Sequence, residues 1–286
     1  MRFSVVMVNY ASWTLTQRCV ESLRATGYED YEVVVVDNDR RDPPALDGGA
    51  RLIRNPENAG FARACNQGIE ASNGELVVLL NPDTIVEEDF FEALERFFGE
   101  YPGAGIAGPR VLDADGKLQL SARRELGPIS GLVSRTSLLT KLLPDSAAVK
   151  RMFPATAATS SEHPAPVDWV SGACLIARRE VMEKLGGLDE RFFMYFEDAD
   201  LCRRARKTGW TVYYLPGVSV THNAGGSTAS KPRAIWRLHK SAFLYHRKHD
   251  RHGPLNLYSV AVLAGLCARA AAKLAASSLS KLTADR

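Results

Sequence analysis

The first half of this chain alternates short runs of apolar residues with stretches of helical spacing, and this alternation constrains the fold most. The strand-like runs are Phe3–Val8, Tyr31–Asp37, Leu76–Leu80 and Gly105–Val111. The helical stretches between them are Leu15–Leu23, Gly60–Ser72 and Phe90–Phe98. Continuous apolar strands separated by helices are typical of a parallel sheet that is covered on both faces. We therefore predict an α/β fold with a mostly parallel, Rossmann-like sheet.

The second half is less regular. Strand patterns occur at Val167–Val170, Ala173–Ala177, Val212–Leu215 and Val218–His222, and helical patterns at Glu180–Leu185 and Glu197–Lys207. Residues 155–166 are rich in Ala, Ser, Thr and Pro, which predicts a loop. The loops are too short to separate two independent domains. We expect one body with a C-terminal appendage.

The charge of the chain is divided unevenly along its length. Residues 231–286 carry a net charge of +9, whereas residues 1–230 carry −6. A basic block predicts an anionic partner, either lipid head groups or nucleic acid, although a solvated basic helix is the simpler alternative.

Residues 254–282 extend this basic block with many Leu, Val and Ala residues. Arg269 and Lys273 interrupt the apolar stretch, which is too short for the ~20 residues of a spanning helix. We predict an interfacial helix on an anionic membrane surface and no nucleic acid partner. Packing of this helix on the catalytic body, or in a homodimer, is the alternative.

The cysteines and the N-terminus bear on the compartment. The five cysteines are scattered without a C-x-x-C pair, which suggests free thiols in a reducing compartment. The strand-like run begins at the third residue, so we expect no secretory signal. We predict a cytoplasmic protein that is peripheral at the inner face of the cell membrane.

Polar residues follow three of the predicted strands directly. Asn9 follows the first, Asp37 ends the second, and Asp83 comes shortly after the third. Ligands of parallel α/β sheets bind outside the carboxyl ends of the strands, and a half-buried carboxylate there needs a base edge, a ribose hydroxyl or a metal. Mg²⁺ is typically held by one or two carboxylates and substrate phosphates. The alternatives are a helix cap for Asp83 and a turn residue for Asp37.

Three carboxylates, Glu197, Asp198 and Asp200, follow the aromatic run that begins at Phe192. Acids favour the first turn of a helix, which is a structural explanation. A hydrophobic wall also raises the pKa of a carboxyl group, as a general base for a hydroxyl requires. Asp198 and Asp200 cannot face the same way, so we expect one to point into a cleft and the other to bind arginines. His222 ends a predicted strand and is a candidate metal ligand.

Seven motifs occur in the order seen in family 2 glycosyltransferases. They are Val8-Asn9-Tyr10, Val36-Asp37-Asn38, Asn58-Ala-Gly-Phe61 with Asn66, Leu80-Asn-Pro-Asp83, Ser171-Gly-Ala173, Phe196-Glu-Asp-Ala-Asp200 and His222. Over roughly residues 3–250 the chain resembles the rhamnosyltransferase-like members of that family. The resemblance implies a GT-A fold, with the catalytic domain at 1–230 and a basic helical extension at 231–286. Within the domain, the nucleotide-sugar half would span about 1–115 and the acceptor half about 116–230.

The resemblance also implies roles for individual residues. Asp198 would be the catalytic base. Asp83 and His222 would hold Mg²⁺ or Mn²⁺, with Asn81 standing where the family's metal motif has its first acid. The residues implied to bind the nucleotide sugar are Asn9, Asp37, Asn38, Asn58, Gly60, Asn66, Asn81 and Asp83. The residues expected to support the acceptor side are Trp169, Gly172, Glu197 and Asp200.

The implied reaction is an inverting transfer from a nucleoside-diphosphate sugar. The resemblance favours L-rhamnose from dTDP-L-rhamnose, given to a polyprenyl-diphosphate-linked or glycan acceptor in cell-wall or surface-glycan synthesis. A UDP-sugar donor such as UDP-GlcNAc, or a nucleotidyltransferase-like α/β enzyme, is the alternative. The loops at 127–161, expected to contact the acceptor, carry no pattern that names it.

Overall fold

The computed structural model describes residues 1–43, 49–124, 163–223 and 231–249, with short stretches between 260 and 271. The strands are Phe3–Asn9 (β1), Tyr31–Asp37 (β2), Arg51–Arg54 (β3), Leu76–Leu80 (β4), Thr84–Val86 (β5), Ala104–Leu112 (β6), Leu118–Gln119 (β7), Ala122–Arg123 (β8), Ala165–Val167 (β9), Trp169–Val170 (β10), Cys174–Arg178 (β11) and Thr211–His222 (β12). The helices are Trp13–Ala25 (α1), Phe61–Glu70 (α2), Phe90–Glu100 (α3), Arg179–Leu185 (α4), Glu197–Lys207 (α5) and Lys231–His249 (α6).

One mixed sheet organises the body. Its main path runs β3-β2-β1-β4-β11-β6-β12-β5, with β7 paired to β6 and β9 to β12. Six strands of this path point the same way, and only β11 and β5 run against them. Strands β8 and β10 form a separate antiparallel pair. The predicted α/β fold with a mostly parallel sheet is confirmed.

Helices cover both faces because successive strand residues point to opposite sides. In β1, Val5 and Met7 join a core shared with α1 and α3. Val6 and Val8 join a second core on the other face, shared with α2, α4 and α5. Both cores consist of fully or nearly fully buried side chains, which fixes the register of the central strands.

The register brings the predicted polar residues to one edge. Asn9, the last residue of β1, lies directly opposite Asp37, the last residue of β2. The next strand, β4, ends at Leu80, and the backbone N–H of Asn81 then donates to the carbonyl of Ala173 (3.0 Å). The polar groups after three strands therefore share the carboxyl edge of the sheet.

Several elements differ from the sequence prediction. The strand predicted at Ala173–Ala177 is present as β11, but it runs antiparallel to both of its neighbours, β4 and β6. The two strands predicted at Val212–Leu215 and Val218–His222 form one strand, β12, with a register irregularity between Leu215 and Ser219. A β-bulge absorbs the Pro-Gly step that reads as a break in the sequence. Strands β3, β5, β7 and β8 were not predicted. The strand predicted at Val167–Val170 is divided between β9, which begins within the predicted loop 155–166, and β10.

Helix α6 packs on the body rather than extending away from it. Its Ser241 hydroxyl donates to the carbonyl of Met194 (2.8 Å). The guanidinium of Arg237 lies over the Phe193 ring, 4.2 Å from its centre. The predicted boundary at 231 therefore marks a change of composition, and the helix beyond it touches residues just before Asp198.

Three of the predicted segments lie wholly or mostly outside the described residues. The loops at 127–161, most of the predicted loop 155–166 and most of the predicted interfacial segment 254–282 lie outside the described residues. Of that segment, residues 263–268 are helical, and Val260 and Leu263 are exposed. In the part of the chain that is described, no helix is long and apolar enough to cross a membrane.

Candidate active site

A buried carboxylate lies at the ends of β1 and β2. Asp37 is fully buried, and its Oδ1 accepts hydrogen bonds from Asn9 Nδ2 (2.8 Å) and from the N–H of Asp39 (3.0 Å). Asn9 is held in turn by Ser12 and Thr16, whose hydroxyls donate to its Oδ1. Within the described residues, Asp37 Oδ2 has no hydrogen-bond partner. A buried acceptor without a donor is costly, so this oxygen is suited to a donor on a ligand.

Next to this carboxylate, three residues form a hydrogen-bonded wall. Asn38 Nδ2 donates to the carbonyl of Gly60 (3.2 Å) and lies 3.4 Å from Asn58 Oδ1, which also accepts from the N–H of Gly60. Gly60 has a φ of 90°, and a Cβ there would lie 2.9 Å from Phe193. The N–H of Phe61 donates to the carbonyl of Phe193 (2.7 Å). The wall is thus fixed to the aromatic run that precedes Asp198.

Asp83 and His222 meet at the neighbouring part of the edge. Asp83 Oδ1 lies 3.2 Å from His222 Nε2, and Asn81 Nδ2 lies 3.4 Å from the same nitrogen. His222 occupies the end of β12, paired with Thr84 of β5, and the N–H of Asn223 donates to the carbonyl of Asp83. The two candidate metal ligands are therefore brought together across 139 positions of the chain by the β5–β12 pairing.

Gln119 of β7 orients the imidazole of His222. Its Nε2 donates to the carbonyls of His222 (2.7 Å) and Leu112 (3.4 Å), which leaves its Oε1 facing His222 Nδ1 at 3.1 Å. An amide oxygen can only accept, so Nδ1 carries the proton in the neutral ring. The lone pair of Nε2 then faces the Asp83 carboxylate. Two acceptors 3.2 Å apart require a proton or a cation between them.

This arrangement fits a divalent cation held by two protein groups. Carboxylate oxygen suits both Mn²⁺ and Mg²⁺, and histidine is the commonest side-chain metal ligand in proteins. Metal-ligating histidines usually donate their other ring nitrogen to an oxygen, as His222 does to Gln119. Among the described residues no group of three or more acidic, His or Cys side chains converges, so donor oxygens from a ligand would complete the coordination.

The carboxylate of Asp198 is oriented at the start of α5. Its Oδ2 accepts from the N–H of Gly172 (2.9 Å) and its Oδ1 from the N–H of Ala199 (2.7 Å). Burial raises the pKa of Asp198, while these N–H groups and the Arg123 charge oppose the rise. The residue is partly exposed, as a base that meets a reactant has to be.

Two consecutive residues before the helix have a strained backbone. Tyr195 and Phe196 have φ values of 71° and 68°, in the left-handed region that non-glycine residues rarely adopt. The two carbonyls just before them are held by hydrogen bonds: Phe193 accepts from the N–H of Phe61, and Met194 accepts from the hydroxyl of Ser241 in α6. Such strain is characteristic of functional sites whose surroundings over-determine the backbone.

A two-residue bridge joins the carboxylate of Asp198 to the Asp83 region. Gly172 donates its N–H to Asp198, and the carbonyl of the next residue, Ala173, accepts from the N–H of Asn81 (3.0 Å) and from the Thr84 hydroxyl (3.4 Å). The candidate base and the candidate metal ligands therefore lie on opposite sides of one short backbone segment.

Glu197 adjoins Asp198 but is closed off. Burial and the neighbouring Asp198 charge raise the pKa of Glu197 well above its usual range. Its Oε2 has no hydrogen-bond partner among the described residues. Trp169 stacks against the guanidinium of Arg123, 4.7 Å from the ring centre. Glu197 precedes Asp198 in the chain, and Trp169 lies three residues before Gly172, which donates to Asp198. Their support of the acceptor side stays a prediction.

Two predicted site residues are engaged elsewhere. The Asn66 amide binds the backbone of Leu188 through both its oxygen and its nitrogen (2.9 Å each), so it fastens α2 to the turn after α4. Asp200 is fully buried and binds Arg204, Lys248 and His249 at 2.6–2.7 Å. The expectation that Asp198 and Asp200 face different ways holds, and the arginine partner of Asp200 is Arg204. Neither Asn66 nor Asp200 lines the cleft with a free polar atom.

The sequence did not indicate Gln119, because a lone glutamine on a two-residue strand has no recognisable pattern. A search for buried polar residues that join two strands could have found it only after the fold was known.

Comparisons with known proteins identify the family. Residues 1–243 match the family model described as "Glycosyltransferase like family 2". A relative in Mycobacterium tuberculosis, N-acetylglucosaminyl-diphospho-decaprenol L-rhamnosyltransferase, is 32% identical over 87% of this chain and 84% of its own length. The dTDP-rhamnosyl transferase RfbF of Shigella flexneri is 26% identical over 79% of this chain and 73% of its own length.

A solved structure shows the same fold. The mannosyltransferase PcManGT from Pyrobaculum calidifontis, in complex with GDP-Man and Mn²⁺, has a TM-score of 0.57 and 19% identity over 97% of this chain and 75% of its own. At that identity the likeness concerns the GT-A fold alone. The family model covers most of the chain, and the candidate base, acid and histidine occupy one edge of that fold. This chain therefore belongs to the family 2 glycosyltransferases.

Proposed function

We propose that this glycosyltransferase moves L-rhamnose from dTDP-L-rhamnose onto a lipid-linked or polysaccharide acceptor, with inversion, in cell-wall or surface-glycan synthesis. The observation that carries the proposal is the oriented carboxylate of Asp198, joined through Gly172 and Ala173 to the Asp83 region. The printed names of the relatives in M. tuberculosis and S. flexneri support the choice of rhamnose and, for the former, of a diphospho-lipid acceptor.

In this reaction Asp198 takes the proton from the acceptor hydroxyl. The hydroxyl oxygen attacks the anomeric carbon from the face opposite the diphosphate, and the bond from that carbon to the phosphate oxygen breaks. The N–H groups of Gly172 and Ala199 hold the carboxylate so that its remaining lone pairs can receive the proton. A raised pKa strengthens Asp198 as a base.

Asp83 and His222 are the residues that would hold a divalent cation. When bound, Mg²⁺ or Mn²⁺ supplies electrostatic stabilisation of the negative charge that grows on the departing diphosphate. Gln119 keeps the Nε2 lone pair of His222 directed toward Asp83. The leaving group needs no proton, so one base suffices.

The metal role predicts a measurable loss of Mn²⁺ affinity. Asp83→Ala should abolish binding of Mn²⁺ in the presence of dTDP, and Gln119→Leu should weaken it by roughly 10–100-fold, the usual effect of losing an outer-shell partner. Titration of the metal-stripped protein with Mn²⁺, followed by electron paramagnetic resonance of the free ion, measures both.

Asp115→Ala removes a well-exposed carboxylate from the turn between β6 and β7 and serves as the control, with unchanged affinity expected. Undiminished Mn²⁺ binding by Asp83→Ala would show that this carboxylate is not a metal ligand.

The free oxygen of Asp37 is suited to a base that presents an N–H. The N3–H of thymine or uracil can donate to Oδ2, as can the N1–H of guanine and the exocyclic amines of adenine and cytosine. The oxygen is therefore compatible with a dTDP-sugar and with a UDP-sugar, and the printed name of the relative in S. flexneri favours the former.

Asp37→Asn should weaken dTDP-L-rhamnose binding by about 5–150-fold. The amide oxygen would still accept from Asn9, so the amide N–H₂ would take the place of Oδ2 and would face the N3–H of the base, donor against donor. Calorimetry measures the change, and Asp42→Asn, at an exposed carboxylate on the loop after β2, is the matched control. Tight binding of a UDP-sugar with dTDP-L-rhamnose inert would overturn the donor assignment.

The acceptor assignment is consistent with attachment to an anionic membrane surface. A polyprenyl-diphosphate acceptor stays in the bilayer, so the enzyme has to meet its sugar at the bilayer edge. Helix α6 bears six Lys and Arg residues and no acidic residue. A homodimer remains the alternative use of the C-terminal region.

A further inference from the structure

The outer face of α6 has a composition unlike the rest of the surface. Arg233, Trp236, Lys240 and Arg247 are exposed, and their spacing of three, four and seven residues places them on one side of the helix. Trp236 is 64% exposed, a larger fraction than for any other large hydrophobic residue in the described part of the chain. An exposed tryptophan among cations, on a helix without acids, is suited to a partner that is both apolar and anionic.

The inner face of the same helix is fully engaged. His239, Ser241, His246 and His249 are buried on the opposite side. Lys248 is also basic, but it is paired with Asp189 and Asp200 and does not belong to the outer face. The orientation of α6 is therefore fixed by the body, and its outer face is presented outward in one defined direction.

We propose that Arg233, Trp236, Lys240 and Arg247 form a docking face for an anionic lipid bilayer; the inference rests on the proposed function and names the surface through which the enzyme meets its lipid-linked acceptor. Tryptophan is favoured at the boundary between head groups and acyl chains, where its ring is apolar and its N–H is wet. Cationic side chains beside it are attracted to anionic head groups. This chemistry fits a bilayer better than a protein pocket.

Charge argues against the C-terminal segment of this chain as the partner that covers the outer face of α6. Residues 251–286 contain five Lys and Arg residues and a single acid, Asp285. This segment would be repelled by the outer face of α6 and would add to its attraction for an anionic surface.

The geometry places the bilayer near the base. Phe193 and Met194, five and four residues before Asp198, contact α6. A helix with its side chains is roughly 10–12 Å in diameter, so a bilayer against the outer face would lie about one helix diameter from this loop. That distance suits an acceptor sugar held close to the membrane by a diphosphate.

Vesicle binding by the full chain tests the proposal. The protein should co-sediment with vesicles of phosphatidylcholine and phosphatidylglycerol but not with phosphatidylcholine alone. Lys240→Glu/Arg247→Glu should weaken partitioning into the vesicles by about 30-fold or more. The loss of each cation accounts for roughly fivefold, and the new acids add repulsion. Lys184→Glu/Lys207→Glu, at exposed sites on α4 and α5, changes net charge equally and should bind as the parent does.

A second readout reports on Trp236 directly. Lipids brominated in the acyl chain should quench the fluorescence of the parent, and Trp236→Ala should lose most of that quenching. Donor binding and transfer to a water-soluble acceptor should be unchanged in every variant, which separates this proposal from the catalytic one. Equal vesicle binding by both double variants would overturn it, as would a Trp236-dependent dimer that ignores vesicles.

Discussion

Replacing Asp198 by asparagine should reduce single-turnover transfer by roughly 10²–10⁴-fold, the usual contribution of a general base. Asparagine keeps the shape of the side chain and an oxygen that can accept from Gly172 or Ala199, but it cannot take the acceptor proton. Binding of the donor should be nearly unchanged, because the nucleotide-binding candidates lie at the ends of β1 and β2. Quench-flow with the donor and calorimetry measure the two quantities.

The neighbouring carboxyl group of Glu197 provides the control. The pKa of Glu197 is raised well above its usual range by burial and by Asp198, so Glu197→Gln imitates the protonated form and should have a small effect on turnover. If Glu197→Gln lost as much activity as Asp198→Asn, or if Asp198→Asn kept more than about a tenth of the activity, the base would lie elsewhere.

The pH profile gives an independent check. The pKa of Asp198 is raised by burial, and only the deprotonated carboxylate accepts a proton. The rate should therefore fall as the pH drops through this pKa, at a higher pH than for an ordinary aspartate, and this acidic limb should be missing from the residual activity of Asp198→Asn.

The sequence was informative wherever a local pattern determines the structure. Strand β4 and helix α5 have the predicted bounds, because an unbroken apolar run and an acid-rich first turn are local features. The strand-end positions of Asn9, Asp37 and Asp83 followed from one rule of parallel sheets. Their meeting at one edge is confirmed by the register, whereas their roles remain proposals.

Properties set by long-range pairing were not predictable. Nothing in the residues 174–178 states that β11 runs antiparallel, since its direction depends on where the chain returns after 124. Gln119 became visible only when the fold paired both β7 and β12 with β6, which brings Gln119 to the carbonyl of His222. Asn66 was assigned to the pocket from its motif, but its amide satisfies the backbone of Leu188, a contact between residues 122 positions apart.

Asp200 shows the same limit and has a consequence for stability. The sequence placed it beside the cleft with an arginine partner, and the structure adds Lys248 and His249 of α6. The carboxylate is fully buried, and although burial acts to raise its pKa, pairing with His249, Lys248 and Arg204 lowers it. Helix α6 is therefore part of the catalytic body in its packing, even though its composition differs.

Asp200→Asn should lower the free energy of unfolding by about 3–5 kcal/mol, because it leaves buried cations without their counter-charge. For a chain of this size the melting temperature should fall by roughly 6–20 °C. Asp168→Asn is the matched control: it pairs with Arg206, on the same helix as Arg204, and both side chains of that pair are 28% exposed, so a loss of only about 0–1 kcal/mol is expected.

Because the pKa of Asp200 is lowered in the folded state, its contribution to stability is present above the unfolded value near 4 and is lost as the pH falls from there through the folded pKa. Urea unfolding of the three proteins at neutral pH and near pH 3 measures both effects. Equal stability of Asp200→Asn and Asp168→Asn at neutral pH would mean that the buried cluster does not hold α6 to the body.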